Sequence, residues 1–192
     1  MMKALFRVCF VAMLISIVST FAIAQERVHA LSGTVTSINP KIEMIEVDTD
    51  DGSSGHFQWL KKSDGAIDFD KTVSADSIAV DKFTTKGAHV IVFFFGEGNV
   101  RTAVAVHDLG NGSLKKSTGT LVKLNRHDHL LTIKNSAGAE ESFRLDPRTV
   151  ADTSTGVMEG YKIDLGKGDM VRVTSSQANG TATAWLIVPR FE

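Results

Sequence analysis

Residues 33–59 read GTVTSINPKIEMIEVDTDDGSSGHFQW, and residues 119–145 read GTLVKLNRHDHLLTIKNSAGAEESFRL. The two stretches align without a gap. Gly33 falls on Gly119, Thr34 on Thr120, Asn39 on Asn125, Gly52 on Gly138 and Phe57 on Phe143. Apolar positions agree too: Val35 with Leu121, Ile38 with Leu124, Met44 with Leu130, Ile45 with Leu131, and Val47 with Ile133. Self-similarity at one fixed period is the mark of a duplicated structural unit.

The match resumes further on. KGAHVIVFFFGEGNVRTAVAV (86–106) corresponds to KGDMVRVTSSQANGTATAWLI (167–187), with Lys86-Gly87 on Lys167-Gly168, Val90 on Val171 and Val92 on Val173. The offset is five residues shorter here, so the first unit carries an insertion between its third strand and this hairpin. The reading is two homologous domains, 31–109 and 117–190, joined by a linker at 110–116.

Each unit reads as short strands. Period-two alternation is visible in Ile45/Val47, Leu131/Ile133, Val90/Val92 and Val171/Val173. Asp51-Gly52, Gly98-Asn99 and Asn179-Gly180 are hairpin-turn pairs. The first strand of each unit has apolar residues two and five places after its glycine. That spacing breaks strict alternation and predicts a bulge, which a small closed barrel needs in order to coil. Five strands in so short a unit predict an all-β chain of two tandem, five-stranded barrels of the oligonucleotide/oligosaccharide-binding (OB-like) type. Residues 66–84 and 147–163 are expected to hold a helical turn or further extended chain.

The chain opens with Lys3 and Arg7, an apolar run from Val8 to Ile23, and small residues at Ala22 and Ala24. This is the pattern of a secretory signal peptide over 1–24, and it places the mature protein in the periplasm or outside the cell, without a membrane span after cleavage. Removing it removes Cys9, the one cysteine, and leaves 19 basic against 22 acidic residues. Thiol chemistry and disulfides are thereby excluded, and a net acidic chain is a poor partner for nucleic acid.

The motif G-x-V-x-x-I/L-N, the I-x-V strand, the L-x-K-G-D-x-V-x-V run and the closing G-x-A-x-A-x-x-I resemble a family of small exported bacterial β-barrels known as a domain of unknown function. That resemblance implies fold, not chemistry. The KGAHVIVFFFGEGNVRTAVAV segment is also similar to periplasmic copper-chaperone barrels, which implies a Cu(I) site of one His, a Met-x-Met pair and a covering Trp. Trp59 and His56 are present, but Met44, Met158 and Met170 form no Met-x-Met pair, so the ligand set does not carry over.

Few residues point to chemistry. His127 and His129 would share a face if they lay on a strand, as a chelating pair for copper or zinc, but their counterparts Lys41 and Glu43 suggest a solvated turn. DTDDG (48–52) lacks the spacing of a calcium loop and reads as an acidic turn. His89 and His107 would lie nearly opposite each other if their hairpin closes around residues 96–99. The cluster Asp64, Asp68 and Asp70 reads as solvated. No nucleophile elbow, phosphate loop or His-Glu-x-x-His motif occurs, and no enzyme and no cofactor are expected.

The informative anomaly is the alternate face of VIVFFF. Ile91, Phe93 and Phe95 stand where the second unit has Arg172, Thr174 and Ser176. An apolar stripe of this kind calls for a cover. Packing between the barrels is the leading expectation, followed by a homodimer and a ligand platform, with Trp59 as a further binding-surface residue. The expected role is binding or scaffolding of a protein or small molecule in the cell envelope, with metal binding as the alternative.

Overall fold

The structure is a computed structural model, and it describes residues 27–60, 73, 76–98, 101–178 and 180–190. Residues 1–24, expected to be a signal peptide, the aspartates at 64, 68 and 70, Asn99 and Asn179 lie outside the described residues. Twelve strands are present among those described, with no α-helix: β1 (His29–Asn39), β2 (Met44–Thr49), β3 (His56–Trp59), β4 (Ile78–Ala79), β5 (His89–Phe95), β6 (Thr102–Gly110), β7 (Leu114–Asn125), β8 (Leu130–Asn135), β9 (Glu140–Thr153), β10 (Gly156–Glu159), β11 (Met170–Ala178) and β12 (Thr181–Arg190). Among the described residues of 66–84 and 147–163, both expectations are met: short 3-10 turns stand at Val80–Lys82 and Gly160–Lys162, beside the extended chain of β4, the end of β9 and β10.

The strands form two sheets that close in the same way but differ in where the short added strand attaches, β4 on β6 in the first and β10 on β9 in the second. The first runs β3-β2-β1-β5-β6-β4 and the second β8-β7-β11-β12-β9-β10. In each, the third long strand also pairs with the last: β3 with β6, and β9 with β12, both parallel. Five strands therefore close into a ring, with the short β4 and β10 added outside it. Two closed five-stranded β units are what the repeat predicts.

The repeated sequence features have one physical cause each. The bulge falls between Val35 and Ser37 in β1 and between Leu121 and Lys123 in β7, the equivalent places. It puts Val35 and Leu121 into the two cores despite the broken alternation. Each bulge is clasped by the Lys-Gly turn. Val35 N–H donates to Ala88 O (3.0 Å) and Gly87 N–H to Val35 O (2.8 Å); Leu121 N–H donates to Asp169 O (2.8 Å) and Gly168 N–H to Leu121 O (3.0 Å). Gly87 and Gly168 hold φ of 85° and 103°, which a side chain would oppose. A Cβ on Gly33 or Gly119 would overlap the carbonyl oxygen of Asp48 or Lys134. Only glycine lets the first two strands of each barrel approach that closely.

Each barrel has its own core. Ile45, Phe57, Val90 and Val92 sit at the centre of the first, and Leu131, Ile133, Phe143 and Val173 at the centre of the second. The connection between them is shorter than the expected linker at 110–116. β6 runs through Gly110 and β7 begins at Leu114, because Leu114 to Thr120 pair continuously with β11.

Candidate functional site

A third apolar cluster joins the barrels. From the first come Val28, Ala30, Val73, Ile91, Phe93 and Ala105, and from the second Val150 and Leu186, with Val157, Trp185 and Val188 half-buried around them. Ile91 and Phe93 are fully buried here. The β5–β6 register explains which neighbours share their face: Ile91 lies opposite His107 and Phe93 opposite Ala105. The anomalous stripe is thus occupied within the chain.

The four residues singled out as one surface do not stay together. A register shift between Phe93 and Phe94 ends the regular alternation, and Phe95 is half-buried outside the inter-barrel cluster. Trp59 ends β3 and packs on the core of the first barrel. Ile91 and Phe93 alone belong to the inter-barrel contact.

Polar contacts extend it. His29 Nδ1 and Asp152 Oδ1 are 2.9 Å apart, and Ser32 Oγ and Thr174 Oγ1, both buried, share a 2.9 Å hydrogen bond. Val157 N–H donates to Val28 O at 2.9 Å. The acidic turn faces cations of the other barrel: Asp50 pairs with Lys116 at 2.7 Å and Asp51 with Arg172 at 3.6 Å. Burial pushes the Asp51 carboxyl up, but hydrogen bonds from Ser53 and the Arg172 charge outweigh it and hold it below the usual carboxylate range. Burial raises Asp152, and the neighbouring His29 opposes that only in part.

Beside the apolar cluster lies a cleft of about 320 Å³ lined by Val73, Asp76, His107, Pro147, Arg148, Glu159 and Tyr161. The first three come from one barrel and the rest from the other, so the cleft exists only because the two are docked. His107 is 4% exposed, and its Nδ1 has no hydrogen-bond partner among the described residues. Its ring meets Trp185 edge-on at 6.2 Å. Burial lowers its pKa, which keeps the imidazole neutral at neutral pH. Arg148 lies over the Trp185 ring, 4.9 Å from its centroid, and hydrogen-bonds Asp146 at 2.9 Å, with Asp76 3.8 Å away. Glu159 is buried and pairs with Lys162 at 2.7 Å.

The histidines behave differently from one another. His89 lies opposite Gly110 and bonds Thr34, which separates it from His107. His127 and His129 are exposed in the turn between β7 and β8, with His129 at φ 52°. The extended backbone that would align a His-x-His pair is absent there. No group of three or more His, Cys, Asp or Glu is arranged to hold a metal among the described residues. No described helix is long and apolar enough to cross a membrane.

Sequence reasoning missed the cleft, because Asp76, Pro147 and Arg148 sit in segments with no repeat counterpart to flag them. One signal was available: His107 ends the apolar run Ala103–Val106 on β6 and stands two places after Ala105, whose face is buried between the barrels.

No protein-family model matches the chain, and no curated protein matches it. Among solved structures, the crystal structure of Ag(I)CusF is similar at 15% identity with a TM-score of 0.31, covering 41% of this chain and 99% of that one.

Proposed function

We propose that this chain is an exported binding protein, without catalytic activity of its own, whose ligand occupies the cleft between its two barrels. The observation that carries the reading is the composite lining: neither barrel alone holds both His107 and Arg148. Clefts at domain junctions, apolar with a few converging polar groups, are the usual place for small-molecule binding. The volume is at the lower end of that class, which suits a small organic molecule rather than a macromolecule.

The expected export rests on the basic, apolar and small-residue pattern of residues 1–24, and the acidic balance argues against nucleic acid. N-terminal sequencing of the protein from a periplasmic fraction is expected to begin near Gln25. A fragment set of neutral, cationic and anionic molecules, followed by NMR on the Trp185 indole N–H, is expected to give saturable shifts. If no fragment perturbs the cleft while the protein is folded, the reading fails.

A further inference from the structure

We infer that the inter-barrel cleft selects a small organic amine, bound as its ammonium by Asp76 and by the unpartnered Nδ1 of His107. This rests on the binding function proposed above. His107 lines the cleft, and its buried Nδ1, an acceptor in the tautomer that carries its proton on Nε2, has no hydrogen-bond partner among the described residues. A buried polar atom left unsatisfied is costly, and a ligand that supplies the missing donor removes that cost.

The charges select which donor. The other charges at the cleft are already matched: Arg148 is hydrogen-bonded to Asp146, and Glu159 is paired with Lys162. Asp76 is the surplus, with only a 3.8 Å approach to Arg148. Three carboxylates (Asp76, Asp108 and Asp146) act on the His107 ring against the single guanidinium of Arg148. Burial outweighs these charges for the ring itself, but among ligands of equal size the surrounding charges favour a cation over an anion. An ammonium carries several N–H donors, enough to serve a carboxylate and an imidazole nitrogen together, while Val73, Pro147 and Tyr161 surround its carbon frame.

A metal ion is the other kind of cation, and the geometry disfavours it. Protein metal sites bring three or four ligating side chains together, and no such group forms among the described residues. Two acceptors suffice for an ammonium.

The test uses the full mature chain and three probes of one shape: benzylamine, benzyl alcohol and benzoate, with Zn(II) as a fourth. Binding is followed by the Trp185 indole shift and by calorimetry. Benzylamine is expected to bind at least tenfold more tightly than benzyl alcohol. Asp76→Asn should abolish that preference, and His107→Gln should reduce it while circular dichroism stays unchanged. Equal binding of amine and alcohol, or an Asp76→Asn protein that keeps the preference, overturns the amine assignment. Binding of benzoate or Zn(II) alone overturns it too. In those cases the cleft remains a binding site and the proposed function stands. If none of the four perturbs Trp185 and the wider fragment set is also silent, both readings fall.

Discussion

Strands β5 and β11 are the same strand in two copies, and they meet the neighbouring barrel by opposite means. The outward face of β5 carries Ile91 and Phe93, which are buried against Val150 and Leu186. The outward face of β11 carries Arg172 and Thr174, which meet Asp51 and Ser32 of the first barrel. Both faces are used. A duplicated barrel that docks on its twin would present the same surface twice. Here one copy supplies apolar area, and the other supplies directional hydrogen bonds and charge. Apolar burial gives most of the free energy and little orientation; the polar pairs fix the angle at which the barrels sit.

The strongest challenge to this division is Phe93→Ala. Removing a fully buried phenyl ring is expected to cost about 3–5 kcal/mol, read from urea denaturation, whereas Phe95→Ala should cost only about 1 kcal/mol. Similar losses at the two positions would place Phe95 in the contact as well. Next in size is the polar half. Ser32→Ala leaves the buried Thr174 hydroxyl without its partner and removes the Ser32 hydrogen bond to Asp50, at about 1–3 kcal/mol, whereas Thr174→Val should cost less because Ser32 Oγ still donates to Asp50. The double variant should lose less than the two added together, which a thermodynamic cycle measures.

The interface should also carry a pH signature. His107 has a lowered folded pKa, so on acidification below its ordinary value of 6.5 the unfolded chain takes up a proton that the folded chain resists. Stability is therefore full above that value and falls as pH drops through it; His107→Gln should remove this component from the pH dependence of Tm. Glu141, by contrast, belongs to the second barrel alone. Hydrogen bonds from Lys115 and Ser117 draw its carboxyl down from 4.5 to about 2. Its contribution is present above pH 4.5 and is lost as pH falls toward 2, so Glu141→Gln should flatten that lower window by about 1 kcal/mol after solvent screening.

The smallest expected effects are at the hairpin tips. Glu43 and His129 occupy the same place in the two units, at φ 53° and 52°. Glycine at either should stabilise by a few tenths of a kcal/mol to about 1, since a side chain is disfavoured there. His127→Ala should change stability by less than about 0.5 kcal/mol.

Much of this architecture was legible. The repeat locates the strands, and the spacing of Val35 and Ile38, matched by Leu121 and Leu124, locates the bulge from sequence alone. Asn39 and Asn125 recur because each side chain accepts a backbone N–H within its tip, from Lys41 and Asp128. DTDDG reads in sequence as an acidic turn and no more, since sequence does not show that Lys116 and Arg172 are brought opposite it. The polar face of β11 gives no sign of its contact for the same reason: a threonine buried against a serine looks, in sequence, like a threonine at the surface. The cleft was illegible because it is a property of the docking angle, not of either repeat.

The three residues between β6 and β7 bear on how strong that docking has to be. A tether that short keeps the partner surfaces at an effective concentration in the millimolar range or above, with only about 10 Å of chain to give. An interface too weak to assemble two separate barrels at cellular concentrations can still hold these two almost permanently closed. Natural variation can then redraw the contact, and the cleft it forms, one side chain at a time without the two halves ever parting.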